Sequence, residues 1–318
     1  MRRALPGGGL LGGALRVAFA ACCFGSISTL TVVATQGAPG RPGASLVGVL
    51  GWRYVLASLA LVPLAWRALR RVPPAATLAA VVVGGLGQAG VAFLSLSALR
   101  WITVGTLGFL FYTYPAWVAV LAAVRGSEPL DRRKLVALAL SLVGIACTIG
   151  LPGAGVAGSA AGAAAAAWPG VLLALAGAVV YALYIPYLGA LQARLTPVGA
   201  AALVCVGAAL LFAGPALYGS YGAPGGPPLV ALPAAAWLAI ATLALLCTVL
   251  AFIAFLSGLD RLGPVRSAIV STVEPFFTAL LGAVALGQPA GVGTFVGGAL
   301  IALAVALLRG PAPRAAEG

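Results

Sequence analysis

Two stretches of this chain decide its fold: Tyr114–Lys134, YPAWVAVLAAVRGSEPLDRRK, and Glu274–Thr294, EPFFTALLGAVALGQPAGVGT. They stand 160 residues apart and lie inside a longer gapless match of Leu99–Gly150 with Leu259–Gly310. Pro115 falls on Pro275, Pro129 on Pro289, Ala119 on Ala279 and Leu121 on Leu281. Ala123-Val124 falls on Ala283-Val284, and Ala139-Leu140 on Ala299-Leu300. Matches of Ala and Leu are frequent by chance in apolar sequence. Two prolines in register, each at the same place relative to an apolar run, carry the case for an internal repeat.

The sequence around these stretches excludes a soluble protein. The chain has 318 residues, of which 62% are hydrophobic and 7% charged, where a soluble domain carries about 25% charged residues. A soluble fold would leave Leu, Ala and Val over most of its exterior, and disordered chains are poor in apolar residues. The composition therefore predicts an all-α integral membrane protein. Its 18 Lys+Arg against 5 Asp+Glu give a net charge of +13, a value that fits nucleic acid binding unless the placement of the cations explains it. The absence of histidine removes an imidazole base and a histidine metal site. The five cysteines (Cys22, Cys23, Cys147, Cys205, Cys247) lie in apolar runs without CxxC spacing and read as small buried residues.

A bilayer core about 30 Å thick needs about 20 apolar helical residues. Ten stretches qualify: 14–35, 47–66, 76–98, 103–124, 135–151, 169–190, 197–218, 234–257, 265–287 and 289–308. The opening MRR and its apolar run are read as a first span and not a cleaved leader, because the run continues through Val32. With the N-terminus inside, the cytoplasmic segments hold Arg2, Arg3, Arg16, Arg67, Arg70, Arg71, Arg125, Arg132, Arg133 and Lys134. They also hold Arg194, Arg261, Arg266, Arg309 and Arg314, so that 15 of the 18 cations share one side. The outer loops keep Arg41 and Arg100, and Arg53 lies within a span. This is the positive-inside bias. It accounts for the charge without nucleic acid.

Five spans per half is an odd number, so the second half enters the membrane upside down, and the two form inverted repeats. The first repeat is placed at 1–151, an external linker at 152–168, the second repeat at 169–308 and a cytoplasmic tail at 309–318. The differences between the copies follow the predicted topology. Arg125, Arg132, Arg133 and Lys134 of the inner turn are matched outside by Ala285, Val292, Gly293 and Thr294. Arg100 alone marks the outer turn before span four, while Asp260, Arg261 and Arg266 surround its inner counterpart.

This layout resembles the EamA-type transporters of the drug/metabolite transporter superfamily. The resemblance is carried by Tyr114-Pro115-Ala116-Trp117-Val118-Ala119, Gly126-Ser127-Glu128-Pro129-Leu130 and Leu259-Asp260-Arg261-Leu262-Gly263-Pro264. Val273-Glu274-Pro275-Phe276-Phe277-Thr278-Ala279-Leu280-Leu281 is similar to that family's ninth span. It covers nearly the whole chain and is silent on substrate. One departure is Gln288, where many members have Glu. The resemblance implies a pseudo-two-fold bundle in which spans one to four and six to nine surround a central cavity. It also implies that spans five and ten lie peripherally, and that small metabolites are moved, often outward.

Few side chains within the spans can carry chemistry. Glu274 is the one carboxylate inside a span, nine residues from the inner end of span nine. A charge there costs about 2.5–3.5 kcal/mol on insertion scales unless it is protonated or paired. Two readings stay open: a proton or substrate site, and a protonated group that satisfies a carbonyl freed by Pro275. Its repeat counterpart is Tyr114, also before a proline. Arg53 sits about 9 Å below the outer boundary, about 8 Å in height from Glu274 within a core of about 30 Å. Pairing of the two and snorkelling of Arg53 towards water both remain open.

Gln88 and its offset partner Thr248 stand at matching depth in spans three and eight, as cavity lining or as interhelical hydrogen-bonding groups. Tyr181, Tyr184 and Tyr187 recur every three residues beside Pro186; with Phe111, Tyr112 and Trp117 they form either a pocket wall or ordinary aromatic packing. Pro115, Pro275 and Pro186 are expected helix kinks. Gly85-Leu86-Gly87-Gln88-Ala89-Gly90 fits GxGxxG, but it lies in an apolar run with no acid about 20 residues on. Close helix packing explains it better. Gly293-xxx-Gly297 permits close helix contact, within the chain or between monomers.

The sequence thus predicts a secondary transporter, not an enzyme, that exports small amino-acid-like or amphipathic metabolites by alternating access, with Glu274 available for proton coupling. No cofactor is expected. The expected partners are a small-molecule substrate and membrane lipids, with no nucleic acid and with monomer or homodimer left open. The expected location is the plasma membrane, with both termini cytoplasmic. A flippase for a lipid or lipid-linked molecule is the alternative. A membrane-embedded enzyme is a weaker one, because Glu274 has no histidine or second acid beside it.

Overall fold

The computed structural model describes residues 8–36, 43–124, 132, 135–137, 139–140, 143–144, 147, 161–192, 195–221, 232–271, 273–288 and 291–307. Their regular structure is helical throughout. In the first half α1 spans Gly8–Gln36, α2 Leu46–Leu69, α3 Pro74–Ala79, α4 Gly85–Ser97, α5 Val104–Phe111 and α6 Tyr114–Val124. In the second, α7 spans Ala161–Gln192, α8 Pro197–Tyr221, α9 Ala234–Ala244, α10 Ala251–Ser271, α11 Val273–Leu286 and α12 Val292–Leu307. A π-helical turn, Ala80–Gly84, joins α3 to α4, and a second, Leu245–Leu250, joins α9 to α10.

Among the described residues, six segments are long and apolar enough to cross a membrane: Leu11–Gln36, Leu46–Leu69, Pro74–Arg100, Ala167–Leu188, Pro197–Gly214 and Ala234–Leu259. They coincide with the expected spans one, two, three, six, seven and eight. Val273–Leu286 and Val292–Ala304 are shorter apolar helices at the places of spans nine and ten. The expected span five falls mainly outside the described residues, and so does the 309–318 tail. Helix starts are set by local chemistry. Ser45 caps α2 by accepting from Gly48 N–H (3.0 Å), Thr103 caps α5 by accepting from Thr106 N–H, and Thr196 caps α8 through Gly199 N–H.

Three expectations change. Span four is not one kinked helix, because the chain breaks at Tyr112-Thr113 and restarts at Tyr114, leaving Pro115 in the first turn of α6. Proline has no N–H to give and its ring collides with the carbonyl four residues earlier, so a first-turn position is the tolerated one. Pro275 likewise stands in the first turn of α11. Only Pro186 remains inside a helix, in α7, together with Pro169. Second, the alanine-rich end of the expected linker is helix, since α7 starts at Ala161; alanine is the best helix former. Third, the expected turn around Asp260 and Arg261 belongs to α10, which is helical to Ser271.

The hairpin between spans eight and nine is nevertheless present. Phe24 of α1 packs on Phe252 and Phe255, with ring centroids 5.8 and 5.9 Å apart. Gly258 faces Gly13 and Val17, and Gly12 faces Arg261, nearer the start of α1. Gly25 then meets the Glu274 carbonyl and Thr278. The chain has therefore run down α1 and returned to its middle.

Close approach through small residues holds the bundle. A Cβ on Gly85 would stand 2.5 Å from the Gly207 backbone of α8, and one on Gly87 would enter the Tyr184 ring. The GxGxxG stretch is thus a helix-packing face turned to α7 and α8. Gly297 of α12 lies against Gly144, so this member of the Gly293/Gly297 pair is used within the chain. All five cysteines are free, with Cys23, Cys205 and Cys247 buried. Gly287, the one described residue in the left-handed region (φ 62°), ends α11. Gln288 follows it and accepts from Val104 N–H of α5 at 3.0 Å, a task that needs only its side-chain oxygen.

Candidate functional site

The charged pair within the spans is placed first. Arg53 is 3% exposed in α2, and its Nε donates to Thr248 Oγ1 at 2.8 Å. Thr248 lies in the π-helical turn of the second half, is fully buried, and donates in turn to the Leu243 carbonyl at 2.7 Å. The π turn lets a threonine reach back five residues, so its hydroxyl satisfies a carbonyl and still accepts from the guanidinium. The Arg53 guanidinium carbon also lies 5.2 Å from the centre of the Tyr54 ring. Tyr54 is buried, stacks on Phe212 of α8 with centroids 6.1 Å apart, and accepts from Gln88 Nε2 at 3.0 Å.

Glu274 is half-buried at the start of α11, and its carboxylate has no hydrogen-bond or ion-pair partner among the described residues. It does not pair with Arg53. Glu274 lies within electrostatic range of Cys22, in the middle turn of α1, while Arg53 lies within range of Cys247, itself within range of Cys23 in that turn. That turn is the midpoint of α1.

Aromatic side chains connect the two charges. Tyr181 of α7 packs edge-on against Tyr114 of α6 (4.9 Å between centroids) and stacks on Phe111 (5.4 Å). Tyr112 joins Tyr114 at 5.6 Å. Glu274 is within electrostatic range of Tyr181, and Tyr184 is within range of both Tyr181 and Tyr54. A path of polar-tipped rings therefore runs from Glu274 through Tyr181 and Tyr184 to Tyr54 and Arg53. Trp117 is turned elsewhere, with its Nε1 donating to Thr113 Oγ1 at 3.3 Å.

Both π turns are tied to the opposite half of the chain. Tyr184 donates to the Gly84 carbonyl at 3.0 Å and Tyr187 to the Ala79 carbonyl at 2.7 Å, both from the second half to the first. Arg53 does the reverse at Thr248. Each interruption of regular helix thus receives a side chain from across the molecule, which satisfies backbone or hydroxyl groups that lipid cannot.

Every polar residue singled out from the sequence (Glu274, Arg53, Gln88, Thr248, Tyr114 and Tyr181) lies on or beside this path. The pairing differs from what the sequence offered. Arg53 joins Thr248 and not Glu274, and Gln88 joins Tyr54. Tyr184 was expected with Tyr181 as pocket wall or aromatic packing, whereas Tyr54 was not expected as a member of the path. Tyr54's position directly after Arg53, an arginine deep within a span, was the available signal. Among the described residues no three His, Cys, Asp or Glu side chains gather as metal ligands.

The fold is that of a helical, multi-pass membrane protein whose two halves meet along a polar path. The chain belongs to the EamA-like transporter family, whose model matches it twice, over residues 13–150 and 168–310. A solved crystal structure is similar over 93% of this chain and 95% of its own, with a TM-score of 0.63 at 21% identity. That likeness concerns the fold alone. No curated protein matches the sequence.

Proposed function

We propose that this protein is a secondary exporter of small metabolites, working by alternating access of two inverted five-span repeats about the path between Arg53 and Glu274. The observation that carries the reading is the seam itself. Two charged groups, Arg53 bonded to Thr248 and Glu274 beside the midpoint of α1, lie unpaired with each other among side chains contributed by both family-matched segments. Ionisable groups at such a depth mark substrate or proton routes. The reading places the protein in the plasma membrane with both termini cytoplasmic. Cations gathered on one side of the predicted topology support that orientation.

Glu274 is the proton carrier in this reading. It takes a proton from the outer side and releases it inside as cargo moves outward, so that the proton gradient drives export. The test compares metabolites in medium and cytosol of cells that lack the protein, overproduce it, or overproduce Glu274→Gln. Overproduction should raise specific compounds outside, and in inverted vesicles their uptake should depend on pH for the wild type only. An unchanged medium overturns transport; a pH-independent wild type overturns the proton role.

A further inference from the structure

We infer that Arg53 is the counter-ion site for an anionic group, a carboxylate, phosphate or sulfonate, on the transported molecule. This rests on the transport reading above and adds the charge class of the cargo. A guanidinium stays protonated in any protein environment, so burial cannot neutralise Arg53 as it can a lysine or an acid. At 3% exposure it has one hydrogen bond, through Nε to Thr248, a neutral hydroxyl. Its remaining contact is the Tyr54 ring, which attracts a cation but does not balance it.

The chain has five acids in all: Glu128, Asp131, Asp260, Glu274 and Glu317. Glu128, Asp131 and Glu317 lie outside the described residues and outside the predicted spans. Asp260 adjoins Arg261, which sits against Gly12 near the start of α1, whereas Arg53 lies by its middle. Glu274 shares that depth and does not reach Arg53. Neither terminal nitrogen of Arg53 has a partner among the described residues, and neither is a fully enclosed unpaired atom.

The bond to Thr248 fixes Nε and leaves those two nitrogens as a planar fork, the geometry that carboxylates and phosphates accept in pairs. The Tyr54 ring lies beside the guanidinium and the Cys205 and Cys247 thiols are within electrostatic range of it, which suits an anion carried on an apolar or aromatic body. An arriving anion supplies the missing countercharge. Among the described residues no acid pairs with Arg53, so binding breaks no ion pair there.

The test repeats the metabolite comparison with Arg53→Gln and Arg53→Lys and sorts exported compounds by charge at pH 7. The expected result is that compounds raised outside by the wild type carry an anionic group. Their release should fall about tenfold or more in R53Q and recover in part in R53K. Carboxylates, phosphates and sulfonates are told apart in the same profile. Exported compounds that are all neutral or cationic overturn the inference even if R53Q fails to fold, because the wild type alone decides that arm. Unchanged export of anions by a folded R53Q overturns it too. If the wild type changes nothing outside the cell, the transport reading itself has failed, which is a different outcome.

Discussion

Replacing Gly207 by alanine tests how the two halves are pressed together. Gly207 in α8 faces the first π turn. A Cβ placed there would run into the Val81 carbonyl oxygen and stand 2.8 Å from both the Val81 carbonyl carbon and Gly85 Cα. These are backbone atoms, and no side-chain rotation can move them aside. The helices must separate, which loosens the core that α2 and α8 build with Leu50, Tyr54, Cys205 and Ala208. Overpacking in a tight core costs about 1–3 kcal/mol, and an obstacle made of backbone belongs at the upper end. At about 2 °C per kcal/mol for a chain of this size, Gly207→Ala should lower the unfolding midpoint by about 6 °C. Gly214→Ala in the same helix is the control, since nothing lies within 4 Å of its added Cβ. Thermal unfolding of detergent-purified protein, followed by size-exclusion chromatography, reads both. The packing argument is refuted if Gly207→Ala melts no lower than Gly214→Ala.

Other expectations follow from single contacts. Thr248→Val removes both the acceptor of Arg53 Nε and the donor to Leu243, and should cost about 1–3 kcal/mol, while Thr248→Ser stays near wild type in the same melting assay. Tyr184→Phe loses the bond to the Gly84 carbonyl and should cost about 1 kcal/mol; hydrogen exchange at residues 80–85 should rise with it. Gln288→Ala leaves Val104 N–H without its acceptor and should destabilise by about 0.5–2 kcal/mol, the cost of a lost helix cap. Gln288→Glu keeps the oxygen and should retain most of the stability. An equal loss in both variants would contradict the capping role.

What was readable from the sequence depended on contrast within it. Long apolar stretches bounded by Arg-rich or Gly/Pro-rich segments correspond, among the described residues, to six helical segments long enough to cross a membrane. The glycines of Gly85–Gly90 read correctly as a packing face because their context excluded a nucleotide site. Interruptions inside the helices were not readable. The π turns at Ala80–Gly84 and Leu245–Leu250 sit in sequence that is apolar on every face, so no shift of hydrophobic period marks them. The break at Tyr112-Thr113 was signalled by Pro115, but a kink and a break share that signal.

Partners were harder still. The 160-residue offset aligned Gln88 with Thr248, and opposite charge suggested Arg53 with Glu274. Offset reports symmetry and not proximity, and charge says nothing of which helix faces which. The bond from Arg53 to Thr248 depends on the rotation of α2 against the second π turn. That rotation is set by tertiary packing.

The most direct test of the central claim is counterflow in proteoliposomes. Once a cargo is known from the medium, vesicles are loaded with unlabelled cargo and diluted into a trace of labelled cargo, with no ion gradient. A carrier that exposes its path to one side at a time must accumulate label transiently above equilibrium. The wild type should show this overshoot and Arg53→Gln should lose it. Label that only approaches equilibrium, with no overshoot in the wild type, would contradict alternating access between the two halves.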